Sequence, residues 1–240
     1  MWLALDTSGD TASVALGEAG GVPRAEARLA GARQHAGALV PMIDRCLREA
    51  GIGAAALEGI VLGDGPGSFT GLRVAATVAK AIALARGLAV RTASSLLVQA
   101  AGALPPATGV VLGVRDALRG ELYGGVYRLE PGAVTTLLPP VVTAPEALAA
   151  RVTPLGVRAV VGEAPEPVLA ALHQRLGAER LAPPAAGAPV LLGLLAREGG
   201  TAPVHDLRHW EPEYGRPAEA QRRWEERHGR PLPPAAGESR

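Results

Sequence analysis

The stretch Gly63-Asp64-Gly65-Pro66-Gly67-Ser68-Phe69-Thr70-Gly71-Leu72-Arg73 decides how the chain is read. Before it, Gly59-Ile60-Val61-Leu62 is a short apolar run of the kind a buried strand needs. The glycines and Pro66 force a tight turn, because glycine accepts positive φ and proline presets its own. Behind the turn a helical pattern runs from about Phe69 to Arg86 and stops at Gly87, a residue suited to the left-handed position after a helix. Ser68 or Thr70 can cap that helix through a hydroxyl. Strand, glycine turn and helix N-terminus together present free backbone N–H groups, and such groups attract anions. The loop is nevertheless not a Walker loop, because Gly71 is followed by Leu72 rather than lysine, nor a G-x-S-x-G elbow, because Gly67 directly precedes Ser68. A phosphate cradle and a turn that serves only fold geometry both remain open.

The helix after the turn is rich in small residues. Ala75, Ala79 and Ala83 recur at spacing four, and Val74, Val78 and Ile82 form the adjacent row. Small side chains at i, i+4 and i+8 allow close helix–helix approach. Such a helix either lies in its own core or packs on another subunit.

The composition bounds the rest. A chain of 240 residues with 48% hydrophobic content is long enough for one or two domains with a real core. A net charge of +1 implies no strong field for nucleic acid or acidic substrates. A single cysteine, Cys46, excludes an intramolecular disulfide, fits a reducing compartment and reads as a buried, inert thiol. The N-terminal apolar run ends at Asp6, too short for a signal peptide, and Arg73, Lys80 and Arg86 interrupt the longest apolar region. A cytoplasmic protein without a membrane segment is the expectation.

Outward from the glycine turn, Trp2-Leu3-Ala4-Leu5 and Thr11 to Leu16 read as a hairpin whose first corner is Asp6-Thr7-Ser8-Gly9-Asp10, and Ala25 to Leu29 as a third strand. Gln34 to Ala50 is helical, with Leu39, Ile43, Cys46, Leu47 and Ala50 on one face and a kink expected at Pro41. Ala89 to Thr92 is a strand, and Ser94 caps a short helix to Ala101. Residues 1–104 therefore form an α/β lobe. Pro105-Pro106 marks a boundary to a second, reduced α/β lobe over 105–204. It contains strands at Gly109–Val114, Val126–Leu129, Val134–Leu138 and Arg158–Val161, helices at Pro145–Val152, Val168–Leu176 and Pro189–Arg197, and a charged hairpin over Asp116 to Tyr123. A segment over 205–220 returns to the first lobe, and 221–240 reads as a disordered tail. His205 and His209 stand at i, i+4, a metal-capable spacing on a helix, but no third ligand is evident, so no metal is expected.

At this point the residues resemble a family. Leu3-Ala4-Leu5-Asp6-Thr7-Ser8, His35 with Leu39 and Pro41-Met42-Ile43-Asp44, the run Gly65 to Arg73, Asp116-Ala117 with Arg119-Gly120-Glu121-Leu122-Tyr123, and the later Pro212, Tyr214 and Arg216 are together similar to TsaB (YeaZ) proteins. The similarity is strong over residues 1 to about 130, weak over 130–205 and moderate over 210–220.

The resemblance implies an actin-like, sugar-kinase (ASKHA) fold in two lobes, the second shortened. It implies a role in making threonylcarbamoyladenosine beside the tRNA anticodon, as a non-catalytic partner of a TsaD-type transferase, with a TsaE-type ATPase associated and tRNA reached only through the complex. The catalytic paralogue carries H-x-x-x-H on the helix that here spans 34–50; His35 is here followed by Leu39, so half of the pair is missing. Asp116-Ala117-Leu118 stands where an Asp-x-Gly turn would serve ATP, and only Gly162-Glu163 lies near the expected adenosine site. No catalytic residue, metal or cofactor is expected. Asp6, Thr7, Ser8, Gly65, Gly67 and Ser68 remain as vestigial phosphate-loop candidates for weak nucleotide binding. The implied partner surface is the helix pair 34–50 and 69–86, with His35, Leu39, Met42, Ile43, Val74, Ala75, Val78, Ala79, Ile82 and Ala83; without its partner it would form a homodimer. The competing readings are an ATP-dependent phosphotransferase or carbamoyl-type transferase with Asp6 near the phosphates and a peptidase, the latter lacking any Ser/His/Asp set.

Overall fold

The computed structural model describes residues 1–31, 35–104, 106, 108–215 and 227–229, and the side chains of His35 and Ala36 are excluded. Its first sheet begins with a meander of β1 (Trp2–Asp6), β2 (Thr11–Gly17) and β3 (Ala25–Ala30), paired antiparallel with Leu3 opposite Leu16. Helix α1 (His35–Glu49) leads to β4 (Gly59–Gly63), and α2 (Phe69–Arg86) leads to β5 (Ala89–Ala93); β4 lies parallel beside β1, and β5 parallel beside β4. After α3 (Ser95–Ala101) the same plan recurs. Strands β6 (Gly109–Asp116), β7 (Leu122–Glu130) and β8 (Ala133–Thr143) form a second antiparallel meander. Helix α4 (Pro145–Val152), β9 (Ala159–Glu163), α5 (Glu166–Leu176) and β10 (Glu179–Leu181) complete the repeat, with β9 and β10 parallel on the β6 side. Helix α6 (Ala188–Leu195) and the short β11 (Ala202–Pro203) follow.

This duplicated β-β-β-α-β-α-β plan, with sheet orders β11-β5-β4-β1-β2-β3 and β10-β9-β6-β7-β8, is the two-lobed actin-like α/β arrangement. Three apolar clusters hold it. One packs α1 and α2 on the outer face of the first sheet (Leu3, Leu5, Leu39, Cys46, Ile60, Leu62, Ala75, Ala79), and another packs α4 and α5 on the outer face of the second (Leu112, Val126, Leu148, Val160, Leu172). The third lies between the sheets and is filled by α3 and α6 with Leu96, Leu97, Val98, Leu191, Leu192 and Leu194.

The inner layer corrects the simple lobe assignment. Helix α3, which belongs to residues 1–104, packs on β6, β7 and β9 of the second sheet, while α6, from 105–204, packs on β1, β2 and β4 of the first. Position 104/105 is therefore a boundary in the chain and not in the packing. The chain returns to the first sheet through β11, which pairs antiparallel with β5. Val204, Leu207 and Trp210 then pack over the α1–α2 cluster. Lys80 pairs with Glu211 at 3.0 Å and lies 5.7 Å from the Trp210 ring, and the rings of Phe69 and Tyr214 stand 4.6 Å apart. Residues 204–215 thus strap α2 from outside.

Helix α1 continues through Pro41 without a break, with Pro41 on its exposed side. His205 and His209 lie in a turn rather than a helix, because Asp206 caps it: its carboxylate accepts from Arg208 N at 3.2 Å and pairs with His209 Nδ1 at 2.8 Å. The described residues contain no set of three or more His, Cys, Asp or Glu that could hold a metal. Strand β10 and β11 were not foreseen; both are too short to show a period. No described helix is long and apolar enough to cross a membrane. Arg216 and the tail 221–240 fall outside the described residues, apart from 227–229.

Candidate functional site: the closed interlobe cleft and the outer helix face

The loops after β1 and β4 meet where the two lobes face each other. Ser68 caps α2, accepting from Gly71 N at 3.2 Å, and Gly87 closes the helix in the left-handed conformation at φ 66°. Asp6, 8% exposed, accepts from Ser8 N at 3.0 Å, and the buried Thr7 hydroxyl donates to Gly71 O at 2.6 Å. Ser68 N donates to Ser8 O at 2.7 Å, and Gly65 N to Ser95 Oγ at 3.0 Å. The structure therefore brings Asp6, Thr7, Ser8, Gly65, Gly67 and Ser68 together, and the N–H groups of Ser8, Gly65 and Ser68 and the Thr7 hydroxyl already donate to Asp6, Ser95, Ser8 and Gly71. A phosphate cradle needs free N–H groups aimed at one point. Here the glycines have another cause. A Cβ on Gly71 would lie 2.0 Å from Thr7 O, and one on Gly67 would lie 2.3 Å from Ser8 O and 2.5 Å from Arg115 Nη1. The two loops cross at backbone contact, and only glycine fits.

Arg115, at the end of β6, fills what remains. Its Nη1 donates to Ser8 O at 2.6 Å and to Pro66 O at 3.3 Å. With its amide oriented so that both ends find partners, Gln99 on α3 accepts from Arg115 Nη2 at 2.8 Å and donates to Val114 O at 3.1 Å. Arg115 Nε is buried and has no hydrogen-bond partner among the described residues. The cavity beside this guanidinium, lined among others by Asp6, Gly9, Thr11, Gln99, Arg115 and Glu163, measures about 50 Å³. Sites for small organic ligands run to roughly 300–1,000 Å³, so this one is scaled to a water or two. Neither Arg115 nor Gln99 was singled out in the sequence. The available signal was a charge at the end of the apolar run Gly109–Val114.

The outer helix pair divides the expected partner residues into two sets. Leu39, Ala75 and Ala79 are fully buried, and Ala83, Ile43 and Met42 are 2%, 5% and 8% exposed. They belong to the chain's own core, which corrects their reading as contact residues: the small-residue row lets α2 sit close to its own sheet and leaves no surface there for a partner. Val74, Val78 and Ile82 are only partly covered. Arg73, Thr77, Ala81 and Leu84 are exposed on the same helix, and Val40 is exposed on α1, with Val40 57% and Leu84 54% exposed. Phe69, Thr70, Arg73, Val74, Thr77 and Val78 line a shallow groove of about 400 Å³ at the N-terminal end of α2. His35 is the first residue of α1. Cys46, buried under α1, has its thiol pushed up to about 11 by burial and by the Glu49 carboxylate, so it stays protonated and unreactive.

Fold and site define a two-lobed protein of the actin-like class in which Arg115 fills the space beside the loops after β1 and β4. The model of the TsaD family, tRNA N6-adenosine threonylcarbamoyltransferase, matches residues 16–162, and the chain belongs to that family. Its similarity is to the TsaB (YeaZ) proteins there. It is 39% identical over 123 residues to the tRNA threonylcarbamoyladenosine biosynthesis protein TsaB of Haemophilus influenzae, covering 50% of this chain and 51% of that one. It is 34% identical over 134 residues to the Escherichia coli protein of the same name, covering 55% and 57%. The matches thus span little more than half the length of these relatives. The solved structure of YeaZ from Pseudomonas aeruginosa superposes over 89% of this chain and 98% of that one with a TM-score of 0.68 at 28% identity.

Proposed function

We propose that this chain is a non-catalytic partner of a TsaD-type threonylcarbamoyl transferase in forming threonylcarbamoyladenosine next to the tRNA anticodon. The observation that carries the reading is the closed cleft: Arg115 reaches from the second lobe to Ser8 O and Pro66 O of the first and leaves about 50 Å³. With the space beside the Asp6 loop filled in this way, the reading favours a chain that contributes to the reaction by binding another protein. The surface for that contact is the outer face of α1 and α2, where Val40 and Leu84 are exposed and Val74, Val78 and Ile82 are partly covered, with the exposed Arg73 and Thr77 on the same face of α2. A TsaD-type paralogue carries a helix pair of the same architecture, and pairing two such faces gives a four-helix contact. Alone, this face pairs with its own copy about a two-fold axis. A TsaE-type ATPase joins the resulting complex, and tRNA meets this chain only through it. The relatives' names, with their role in threonylcarbamoyladenosine biosynthesis, support the pathway.

The test is reconstitution. The chain is mixed with a TsaD-type protein, and complex formation is followed by light scattering while modified adenosine in tRNA is measured. A one-to-one complex, with modification that requires both proteins, is the expected result. The double variant Thr77→Arg, Leu84→Arg should remain folded, because both positions are exposed, and should lose both complex and modification. Nucleotide hydrolysis by the chain alone, or full modification supported by the folded double variant, would overturn the reading.

A further inference from the structure

A second cavity, far larger than the closed cleft, opens between the ends of β4 and β5 and the strand pair β7–β8, with a volume of about 410 Å³. Asp64 follows β4 and sits deep in it, next to the buried Thr92, whose hydroxyl donates to its carboxylate. Glu213, on the strap, stands at the exposed rim and is tied to the same place by its N–H, which donates to Asp64 O at 2.8 Å. Tyr127, 1% exposed, donates its phenol to Ser94 Oγ at 2.9 Å. Thr136 and Thr201 add hydroxyls, and Leu97, Pro139 and Pro140 add apolar wall.

The lining contains no lysine, arginine or histidine. Arg91, near the wall, is spent on Thr201, donating Nε to Oγ1 at 2.7 Å and Nη2 to the carbonyl at 2.9 Å. The groups that act on Asp64 are burial, the Thr92 hydroxyl, the Glu213 carboxylate and its own backbone, with no cation among them. A carboxylate held this deep without a counter-charge is costly, and the cost disappears when a cation is delivered to it. Burial, reinforced by Glu213, pushes the Asp64 carboxyl up to about 6, the direction an uncompensated acid takes. Two carboxylates make a poor metal site, and the described residues offer no third His, Cys, Asp or Glu. The volume exceeds that of a bare ion and falls within the range of small organic ligands.

We propose that this cavity binds a small aliphatic amine, its ammonium group on the Asp64 carboxylate with Glu213 at the rim, and its methylene stem against Leu97, Pro139 and Pro140. The ammonium group supplies the cation that the lining lacks. Hydroxyls of Ser94, Thr136 and Tyr127 surround the polar end, and the prolines offer a rigid apolar surface at no ordering cost.

The full chain is titrated calorimetrically with 1,4-diaminobutane and, separately, with n-butylamine, at constant ionic strength in sodium salt, at pH 8 and pH 5. Saturable one-to-one binding is expected at pH 8. It should weaken about tenfold at pH 5, one unit below the Asp64 midpoint near 6, where roughly a tenth of the carboxyl stays ionised. Asp64→Asn should weaken binding at pH 8 at least tenfold, and Glu213→Gln should weaken it less. If Asp64→Asn does not fold, the pH dependence of the native chain decides alone. The absence of saturable heat with both amines, equal binding by folded Asp64→Asn, or the same affinity at pH 5 and pH 8 would overturn the proposal.

Discussion

The guanidinium of Arg115 donates to the carbonyl oxygen of Ser8 at 2.6 Å, joining the last residues of β6 to the loop after β1 across the interface of the two lobes. One side chain thereby occupies the crossing point of the fold and ties it shut. Replacing Arg115 with Met keeps the stem and removes the charged hydrogen bonds to Ser8 O and Pro66 O. A loss of about 2 kcal/mol of unfolding free energy is expected in a urea titration. A change below about 0.5 kcal/mol would show that the clamp contributes nothing to stability.

Glycines 71 and 37 should respond in opposite senses. A Cβ at Gly71 would lie 2.0 Å from Thr7 O, whereas one at Gly37 meets nothing within 4 Å. Gly71→Ala must push two backbones apart and should cost more than about 2 kcal/mol. Gly37→Ala, inside α1, should stabilise the chain by roughly 0.5–1 kcal/mol through helix propensity and a stiffer unfolded state. Thermal melts of the two variants side by side check the contrast.

Asp64 makes stability depend on pH in an unusual sense for a carboxylic acid. Its carboxyl titrates near 6 in the folded chain against an ordinary 3.8. Between those values the folded chain keeps a proton that the unfolded chain has released. Its contribution is therefore fully present below about pH 4 and is lost as pH rises through 6, by about 2–3 kcal/mol in all. Asp64→Asn lacks this dependence. Urea unfolding should show the variant gaining on the native chain as pH goes from 4 to 8; a constant difference between the two would contradict the assignment.

Ala79 and Leu84 lie on one helix and face opposite worlds: Ala79 is fully buried and Leu84 is 54% exposed. Ala79→Arg would bury an unpaired charge in the α1–α2 core and should abolish folding. Leu84→Arg should change stability by no more than about 0.5 kcal/mol. Circular dichroism distinguishes the two directly.

Local order was written plainly in the residues. A hydroxyl cap at Ser68 or Thr70, Gly87 as terminator and the helix Phe69–Arg86 between them depend on neighbours within a few positions, and the structure has the helix and its terminator at those residues and chooses Ser68 as the cap. The strands of both meanders could be read for the same reason, although their ends shifted by a residue or more, since pairing partners decide where a strand stops. The sequence motif around Gly65–Arg73 carried the family likeness before any contact was known.

Other features depended on long-range contacts. Periodicity marks Ala75, Ala79 and Ala83 as one row but does not say what the row faces; the sheet behind α2 settles that they face inward. The exchange of α3 and α6 between lobes is invisible in sequence, because both helices are simply apolar and the choice of sheet is made by the closing of the whole fold. Glycine at 67 and 71 reads equally well as a phosphate loop and as a backbone crossing. Only the positions of Thr7, Ser8 and Arg115, between 44 and 64 residues away along the chain, distinguish the two. The chain by itself determined its local elements and its kinship, both of which rest on short-range spacing. Which loops touch, what Arg115 fills and which half-buried acid sits without a counter-charge were decided by tertiary packing, because each depends on groups that meet only once the two sheets have come together.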